Sequence, residues 1–137
     1  MRWQDLLLII LFLCYFPGSL LAAEDDASEE TEKVQVEYLK LAPSLVTNVQ
    51  GGAKYVRCDV QLMTRDPEAL EKLKLHTPAI RHELLLLLSD QQGGELKQPK
   101  GKEKLRKQAL AAVQKVMKGL TEKPLADDLF FTSFFVQ

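Results

Sequence analysis

Two histidines and a pair of adjacent aspartates are the first residues to consider for metal binding or acid–base chemistry in this 137-residue chain. His76 and His82 are six residues apart, and on one helix that spacing places them on different faces, where they cannot bind one metal ion together. Asp127 and Asp128 directly precede an apolar run, so we interpret them as polar caps at a strand edge. The hydroxyl residues considered as nucleophiles, none of which lies in a nucleophile motif, are Ser44, Ser89, Thr132 and Ser133. The sequence therefore predicts no catalytic, cofactor-binding or metal-binding residues, no cofactor and no small-molecule substrate.

The sequence gives equally little support for phosphate binding or nucleic-acid binding. The glycine pairs at 51–52 and 93–94 lack the helix and lysine that follow the glycines of a phosphate-binding loop. One dense basic cluster consists of Lys97, Lys100, Lys102, Lys104, Arg106 and Lys107. It contains no aromatic residue for stacking on bases, so we predict no nucleic-acid partner. The cluster is either a solvated face or a contact for anionic lipid headgroups or an acidic partner.

The N-terminus is typical of a targeting segment. Arg2 precedes an apolar run over residues 6–16, Pro17-Gly18 breaks that run, and small residues follow up to Ala23. This pattern favours a cleaved signal peptide over residues 1–23. The apolar stretch up to Ala23 also approaches the length of a membrane-spanning helix, so a retained N-terminal anchor stays open. Both alternatives predict export of the remaining chain.

An acidic linker is predicted over residues 24–33. Its first nine residues, EDDASEETE, hold six acids and no base, which is typical of a solvated spacer. The chain after position 32 holds 17 Lys and Arg against 12 Asp and Glu, so its net charge is +5 although the whole chain has a net charge of −1. The folded domain, predicted over residues 34–137, is therefore basic.

The first half of this domain reads as two strands. Residues 34–41 alternate and then slip by one residue, which predicts a half-buried strand with a bulge. Pro43 interrupts it and residues 44–49 resume extended character. A Gly-Gly turn then leads to the cleanest strand, residues 54–65, so we predict a hairpin. Cys58 lies on the buried face of that strand and has no partner outside the leader, where Cys14 lies. We interpret it as core filler, with an intermolecular disulfide as the alternative.

Helices follow. Asp66 and Pro67 predict a helix start, and Thr77 and Pro78 repeat the signal, so we expect two helices in series or one helix kinked at Pro78. The second piece is apolar nearly all round over residues 84–88, which predicts deep burial or a shared subunit contact. Residues 89–101 read as a loop. An amphipathic helix is predicted over residues 102–120, ended with the help of Gly119.

The C-terminus, LFFTSFFVQ, holds four of the six phenylalanines. Strict alternation would place Leu129, Phe131, Ser133 and Phe135 on one face and Phe130, Thr132, Phe134 and Val136 on the other. Both faces are then apolar, which predicts a strand inside the sheet. The fold class is thus α+β in the order β-β-α-α-β, with a three- to four-stranded sheet packed against two to three helices.

Five segments in order resemble the FliL family of bacterial flagellar basal body-associated proteins. YLKLAPSLVTNV (38–49) resembles the family's first strand, and KYVRCDVQLMTRD (54–66) resembles its long second strand. TPAIRHELLLLLSDQ (77–91) and GKEKLRKQALAAVQKVM (101–117) are similar to two of its helices, and LFFTSFFVQ is similar to its closing strand. The resemblance implies a small stomatin-like domain on the periplasmic side of the inner membrane.

That resemblance also implies partners and a role. It implies a homo-oligomer, in the family a ring, that contacts flagellar stator and motor proteins at the inner membrane. The function expected is a non-enzymatic scaffold that supports flagellar rotation and motility. The alternative is an exported adaptor or chaperone-like binding module of the same fold without a flagellar role.

Overall fold

The computed structural model describes residues 33–137, in which residues 34–137 form one compact unit. The predicted leader and the predicted linker up to residue 32 lie outside the described residues. The elements, in chain order, are β1 (Glu37–Asn48), β2 (Tyr55–Thr64), α1 (Pro67–Leu75), α2 (Thr77–Ser89), α3 (Gly93–Leu96), α4 (Pro99–Thr121) and β3 (Asp128–Val136). The predicted α+β class and the strand order are confirmed. The described residues form four helices instead of the two to three predicted, and the additional one, α3, lies in the stretch 89–101 that the sequence predicts as a loop.

The three strands form one antiparallel sheet in the order β1-β2-β3. In the central strand β2 every second residue is buried: Val56, Cys58, Val60, Leu62 and Thr64. These side chains define the inner face of the sheet, which packs against the helices, and the opposite face is called the outer face below. The period-two pattern that predicted this strand is therefore confirmed, and so is Cys58 as a core residue.

A bulge interrupts the pairing of β1 with β2. Leu41 pairs with Val60 and Leu45 with Cys58, so the three residues between Leu41 and Leu45 face Asp59 alone. Leu41 and Leu45 are both buried against the inner face, because the extra residues leave the ladder without changing the phase of the strand. The two extended segments predicted around Pro43 are thus one strand with its bulge at the proline.

The closing strand differs from its prediction in two ways. β3 pairs with β2 alone, so it lies at an edge of the described sheet and not inside it. Ser133 pairs with Asp59 and Phe131 with Val60, which leaves Thr132 as a one-residue bulge. Because a bulge shifts the phase, strict alternation fails. The inner face carries Leu129, Phe131, Phe134 and Val136, and the outer face carries Phe130, Ser133 and Phe135.

The turn between β1 and β2 packs against the start of α3. Gly93 N–H donates to Gln50 O at 2.8 Å and Gly94 N–H to Gly51 O at 3.1 Å. Gly52 has φ 85°, and a Cβ there would lie 2.7 Å from Gly94 N. A side chain at position 52 is therefore excluded both by backbone conformation and by the closeness of the second glycine pair.

The helix starts agree with the sequence. The Asp66 carboxylate accepts the Glu68 N–H at 2.9 Å and caps α1, and Pro67 occupies the first turn. A break at His76 separates α1 from α2, which confirms two helices in series. α4 starts at Pro99, three residues earlier than predicted, and runs through Gly119 to Thr121. It ends at Glu122, which has the left-handed φ of 67°.

α2 and α4 bury one stripe each against the inner face of the sheet. The buried residues of α2 are Ile80, Leu84 and Leu88, and those of α4 are Leu105, Ala109, Val113 and Met117. Leu85 and Leu87 pack beside this core, whereas Leu86 is 51% exposed. The apolar stretch of α2 is thus buried on one side and partly left at the surface on the other. In the described part of the chain, no helix has the length and apolar character needed to cross a membrane.

Leu84→Glu should abolish the cooperative fold, because it puts a carboxylate at a position that is 1% exposed and surrounded by apolar side chains. We expect a loss of more than about 4 kcal/mol in the free energy of unfolding. Leu86→Glu, on the same helix but half exposed, is the matched control and should change it by less than about 0.5 kcal/mol. Urea unfolding followed by circular dichroism measures both; equal losses would contradict this description of the core.

Candidate interaction surfaces

The two histidines occupy different structural positions. His76 is half-buried at the junction of α1 and α2, where its backbone N–H donates to Lys72 O and its carbonyl accepts from Ile80 N–H. His82 is exposed on α2. Among the described residues, no group of three or more His, Cys, Asp and Glu side chains is placed to hold a metal ion.

Asp127 and Asp128 tie the start of β3 to its neighbours. The Asp127 carboxylate accepts the Arg65 N–H at 2.7 Å, at the end of β2. The Asp128 carboxylate accepts its neighbour's Leu129 N–H at 2.7 Å and the Arg106 guanidinium at 2.5 Å. The two acids therefore cap the strand edge, as their position before the apolar run predicted.

Three of the four hydroxyl groups considered as nucleophiles lie within hydrogen-bond distance of structural acceptors. Ser44 donates to the Asp59 carboxylate within the β1 bulge. Ser89 donates to Leu86 O at 2.7 Å near the end of α2, and Thr132 lies 3.5 Å from Asp59 O. Ser133 is exposed on the outer face of the sheet. A serine is activated as a nucleophile when its hydroxyl donates to a histidine, and none of these four hydroxyls does so.

The basic cluster is divided by the fold. Arg106 is half-buried, bonded to both Glu103 oxygens (2.9 and 2.8 Å) and to Asp128, and so joins α4 to β3. Lys104 lies 4.0 Å from the Glu95 carboxylate. The exposed members are Lys97, Lys100, Lys104 and Lys107. They remain available to an anionic surface.

Charge pairing shifts the pKa values of Glu103 and Arg106. Hydrogen bonds from the guanidinium lower the pKa of Glu103 below its ordinary value. The same bonds, together with the negative charge of Asp128, raise the pKa of Arg106 above its ordinary range. Both shifts favour the ionised forms of Glu103 and Arg106, so charge pairing supports the position of Arg106 between α4 and β3.

Lys102 lies over the ring of Phe134, with its ammonium nitrogen 5.3 Å from the ring centroid. Phe134 in turn meets Phe131 edge to face at a centroid distance of 5.0 Å. The basic cluster, which contains no aromatic residue of its own, therefore has aromatic neighbours in space, and they come from β3, about thirty positions along the chain. Pro99, Glu103, Arg106 and Phe130 complete a surface pocket of about 330 Å³ at this edge of the sheet.

A second apolar surface is the groove between α2 and α4, with a volume of about 630 Å³. Its floor is formed by Ala79, Leu86, Leu87, Ala112, Val116 and Leu120. Leu86 and Leu120 are each half exposed there. Charged side chains of both signs, including Glu83 and Lys115, lie at its rim.

The outer face of the sheet is the third apolar surface. Phe135 stacks obliquely on Tyr55 with ring centroids 6.4 Å apart, and it is 52% exposed. Phe130, Tyr38 and Val46 are also exposed on this face. No described helix packs against it, so these aromatic side chains lie open next to the edge formed by β3.

The fold is thus a small α+β domain with helices on one face of its sheet and apolar side chains left at three surfaces. Residues 38–137 match the family described as Flagellar basal body-associated protein FliL, and this match covers most of the chain. The chain belongs to the FliL family, which confirms the resemblance seen in the sequence. A comparison with curated proteins gives no match.

Sequence reasoning did not find the site formed by Lys102, Phe131 and Phe134. Its members lie on two elements that are separated by α4, and no local spacing connects them. The only available signal was that β3 has aromatic residues in both alternating phases. That pattern indicates aromatic side chains on both faces of the strand but does not say which helix contacts them.

Burial, with the nearby negative charge of Asp59, raises the pKa of the Cys58 thiol to about 12. The native thiol should therefore not react with a thiol reagent at pH 8, because the thiolate is the nucleophile. In a Cys14→Ser background, labelling should require unfolding. Native labelling as fast as that in urea would contradict this burial.

The same shift gives a pH dependence with a definite sign. In the unfolded chain the thiol loses its proton near its ordinary pKa of 9.0, whereas the folded chain retains it towards pH 12. The contribution of the Cys58 thiol to the free energy of unfolding is therefore complete below pH 9. It is lost as the pH rises from 9 towards 12, by up to about 1.4 kcal/mol per pH unit. Cys58→Ala should lack this decline when urea unfolding of the two proteins is compared at several pH values.

Proposed function

We propose that this protein is a non-enzymatic scaffold of the flagellar basal body, located on the periplasmic side of the inner membrane. It self-associates, as a ring or a smaller homo-oligomer, and contacts stator subunits to support flagellar rotation and motility. The observation that carries the proposal is the family match over residues 38–137.

The surfaces of the domain support binding rather than chemistry. The two acids considered as reactive groups, Asp127 and Asp128, are bonded to a backbone N–H and to a structural arginine, and Ser44, Ser89 and Thr132 lie within hydrogen-bond distance of structural acceptors. By contrast, large apolar side chains that contribute nothing to the domain core are exposed on α2, α4 and β3: Leu86, Leu120, Phe130 and Phe135. Exposed apolar surface of this kind is typical of contact with other proteins.

The mechanism is a shift of populations. A scaffold that binds one state of a stator unit more tightly than another increases the population of that state, without a chemical step of its own. The exposed lysines near the start of α4, including Lys97 and Lys107, suit anionic lipid headgroups or an acidic segment of a partner. The net charge of +5 after residue 32 favours the same contacts.

Deleting the gene should reduce motor speed mainly at high viscous load while flagella still assemble. Rotation of beads attached to single flagella, at low and high load, measures the effect, and a plasmid copy of the full chain should restore it. Leu84→Glu, which we expect not to fold, is the negative control for complementation. Normal rotation at every load would contradict the proposal and favour the exported adaptor, whereas loss of the flagella would indicate an assembly role instead.

The mature chain should begin near Glu24, because the apolar run is short and broken by Pro17-Gly18. Mass spectrometry of the intact protein from the periplasmic and membrane fractions measures this. A chain that starts at Met1 in the membrane fraction would contradict cleavage and establish the retained anchor. Recovery of the protein from the cytoplasmic fraction alone would contradict export itself.

A further inference from the structure

The edge of β3 that faces away from β2 has no partner strand within residues 33–137. Gln137 exchanges both backbone hydrogen bonds with Tyr55, so the backbone groups of Phe135 and Ser133 also face β2. The backbone groups of Phe134 and Val136, between them, point outward. This part of β3 therefore presents unpaired donors and acceptors.

The same alternation applies on the other side of the bulge. The residues of β2 whose backbone groups face β3 alternate from Tyr55 through Arg57 and Asp59 to Gln61 and Met63. Gln61 and Met63 lie opposite Phe130 and Asp128, so the backbone groups of Leu129 and Phe131 point outward. Those of Leu129 are already occupied, since its N–H donates to the Asp128 carboxylate and its carbonyl accepts from Arg106 at 3.4 Å. The open edge therefore begins at Phe131.

The sequence of this edge is nearly the same in both directions. FFTSFF, residues 130–135, has its centre between Thr132 and Ser133. If a second copy runs antiparallel across that centre, Phe130 lies opposite the second copy's Phe135, and Phe131 opposite its Phe134. Aromatic pairs directly opposite each other on one face stabilise neighbouring strands.

The bulge at Thr132 makes this register possible. In a regular strand, residues 130 and 135 point to opposite faces because their separation is odd, and they could not face each other across a two-fold axis. The extra residue restores the phase, so that Phe130 and Phe135 both lie on the outer face. For the same reason Phe131 and Phe134 both lie on the inner face, and both have outward backbone groups.

We propose that two copies of this chain pair through β3, antiparallel, about a two-fold axis between Thr132 and Ser133. The two three-stranded sheets then form one six-stranded sheet. Phe131 and Phe134 of each copy exchange backbone hydrogen bonds with Phe134 and Phe131 of the other. Phe130 and Phe135 form the aromatic pairs on the outer face.

The surroundings of the edge favour such pairing. Between Leu129 and Val136 there is no lysine, no acid and no proline, the residues with which edge strands commonly avoid association. Phe130 is 36% and Phe135 52% exposed, so pairing buries apolar surface that is otherwise in water. The pocket of about 330 Å³ beside Lys102 lies at this edge and can accept an aromatic side chain of the second copy.

Cysteine cross-linking in cells tests the register. One full-length copy carries Phe130→Cys and another Phe135→Cys, both in a Cys14→Ser background, with Cys58 buried. Directly opposite residues have Cβ atoms about 5 Å apart, within reach of a disulfide. Co-expression should give a disulfide-linked species of twice the chain mass on a non-reducing gel after mild oxidation.

Each variant alone should give no such species, because two residues at position 130 are about 16 Å apart in this register. Tyr38→Cys, which is 53% exposed on the outer face at the other edge, is the matched control and should not cross-link with Phe130→Cys. Equal cross-linking in all combinations, or none in the mixed pair, would overturn the proposal. Motility is not measured, so this outcome is independent of the flagellar role.

Charge exchange gives a second measurement without cysteines. Two differently tagged full-length copies should co-purify, and should stop doing so when both carry Phe130→Lys with Phe135→Lys, since like charges then lie opposite each other. The same loss is expected when both carry Phe130→Glu with Phe135→Glu. A lysine copy with a glutamate copy should co-purify again. Unchanged recovery in all combinations, or no recovery in the mixed one, would contradict this pairing.

Discussion

The inner face of β2 is the constraint on which the rest of the domain depends. Its alternate residues from Val56 to Thr64 are almost completely buried, and the strand pairs on both edges. A strand with both edges paired and one face covered leaves no freedom in register, since a slip by one residue would turn this apolar row outward. β1, β3, α2 and α4 therefore all take their positions from β2.

The two bulges follow from this constraint. In β1, three residues around Pro43 oppose Asp59 alone, and so Leu41 and Leu45 both reach the core. In β3, the extra residue Thr132 changes the phase and keeps Phe134 over Cys58. The bulge on each side thus lies opposite the same short segment of β2, and Asp59 receives the Ser44 hydroxyl there. Both bulges therefore lie next to Asp59, and on each side of them the apolar side chains with which β1 and β3 contact the core lie on the same face of the sheet as those of β2.

What the sequence could predict is set by how local each signal is. The period-two pattern of β2 and the Asp66-Pro67 cap depend on residues that are adjacent in the chain, and both are confirmed. The bulge in β3 could not be found, because FFTSFF is equally apolar in either phase and only pairing with β2 chooses between them. The contact of Lys102 with Phe134 could not be found either, since it requires knowing that α4 lies over β3.

The symmetry of β3 limits how the domain can assemble. A two-fold contact uses the same surface of both copies and is closed once two copies have met, so pairing through β3 gives a dimer and cannot by itself continue into a ring. Extension through β1 is disfavoured, because its bulge and Pro43 interrupt the ladder and Arg81 binds the Pro43 carbonyl. Larger assemblies would therefore need a second contact outside the sheet edges. Among the described surfaces, the groove between α2 and α4, with Leu86 and Leu120 half exposed, has the apolar character that such a contact requires.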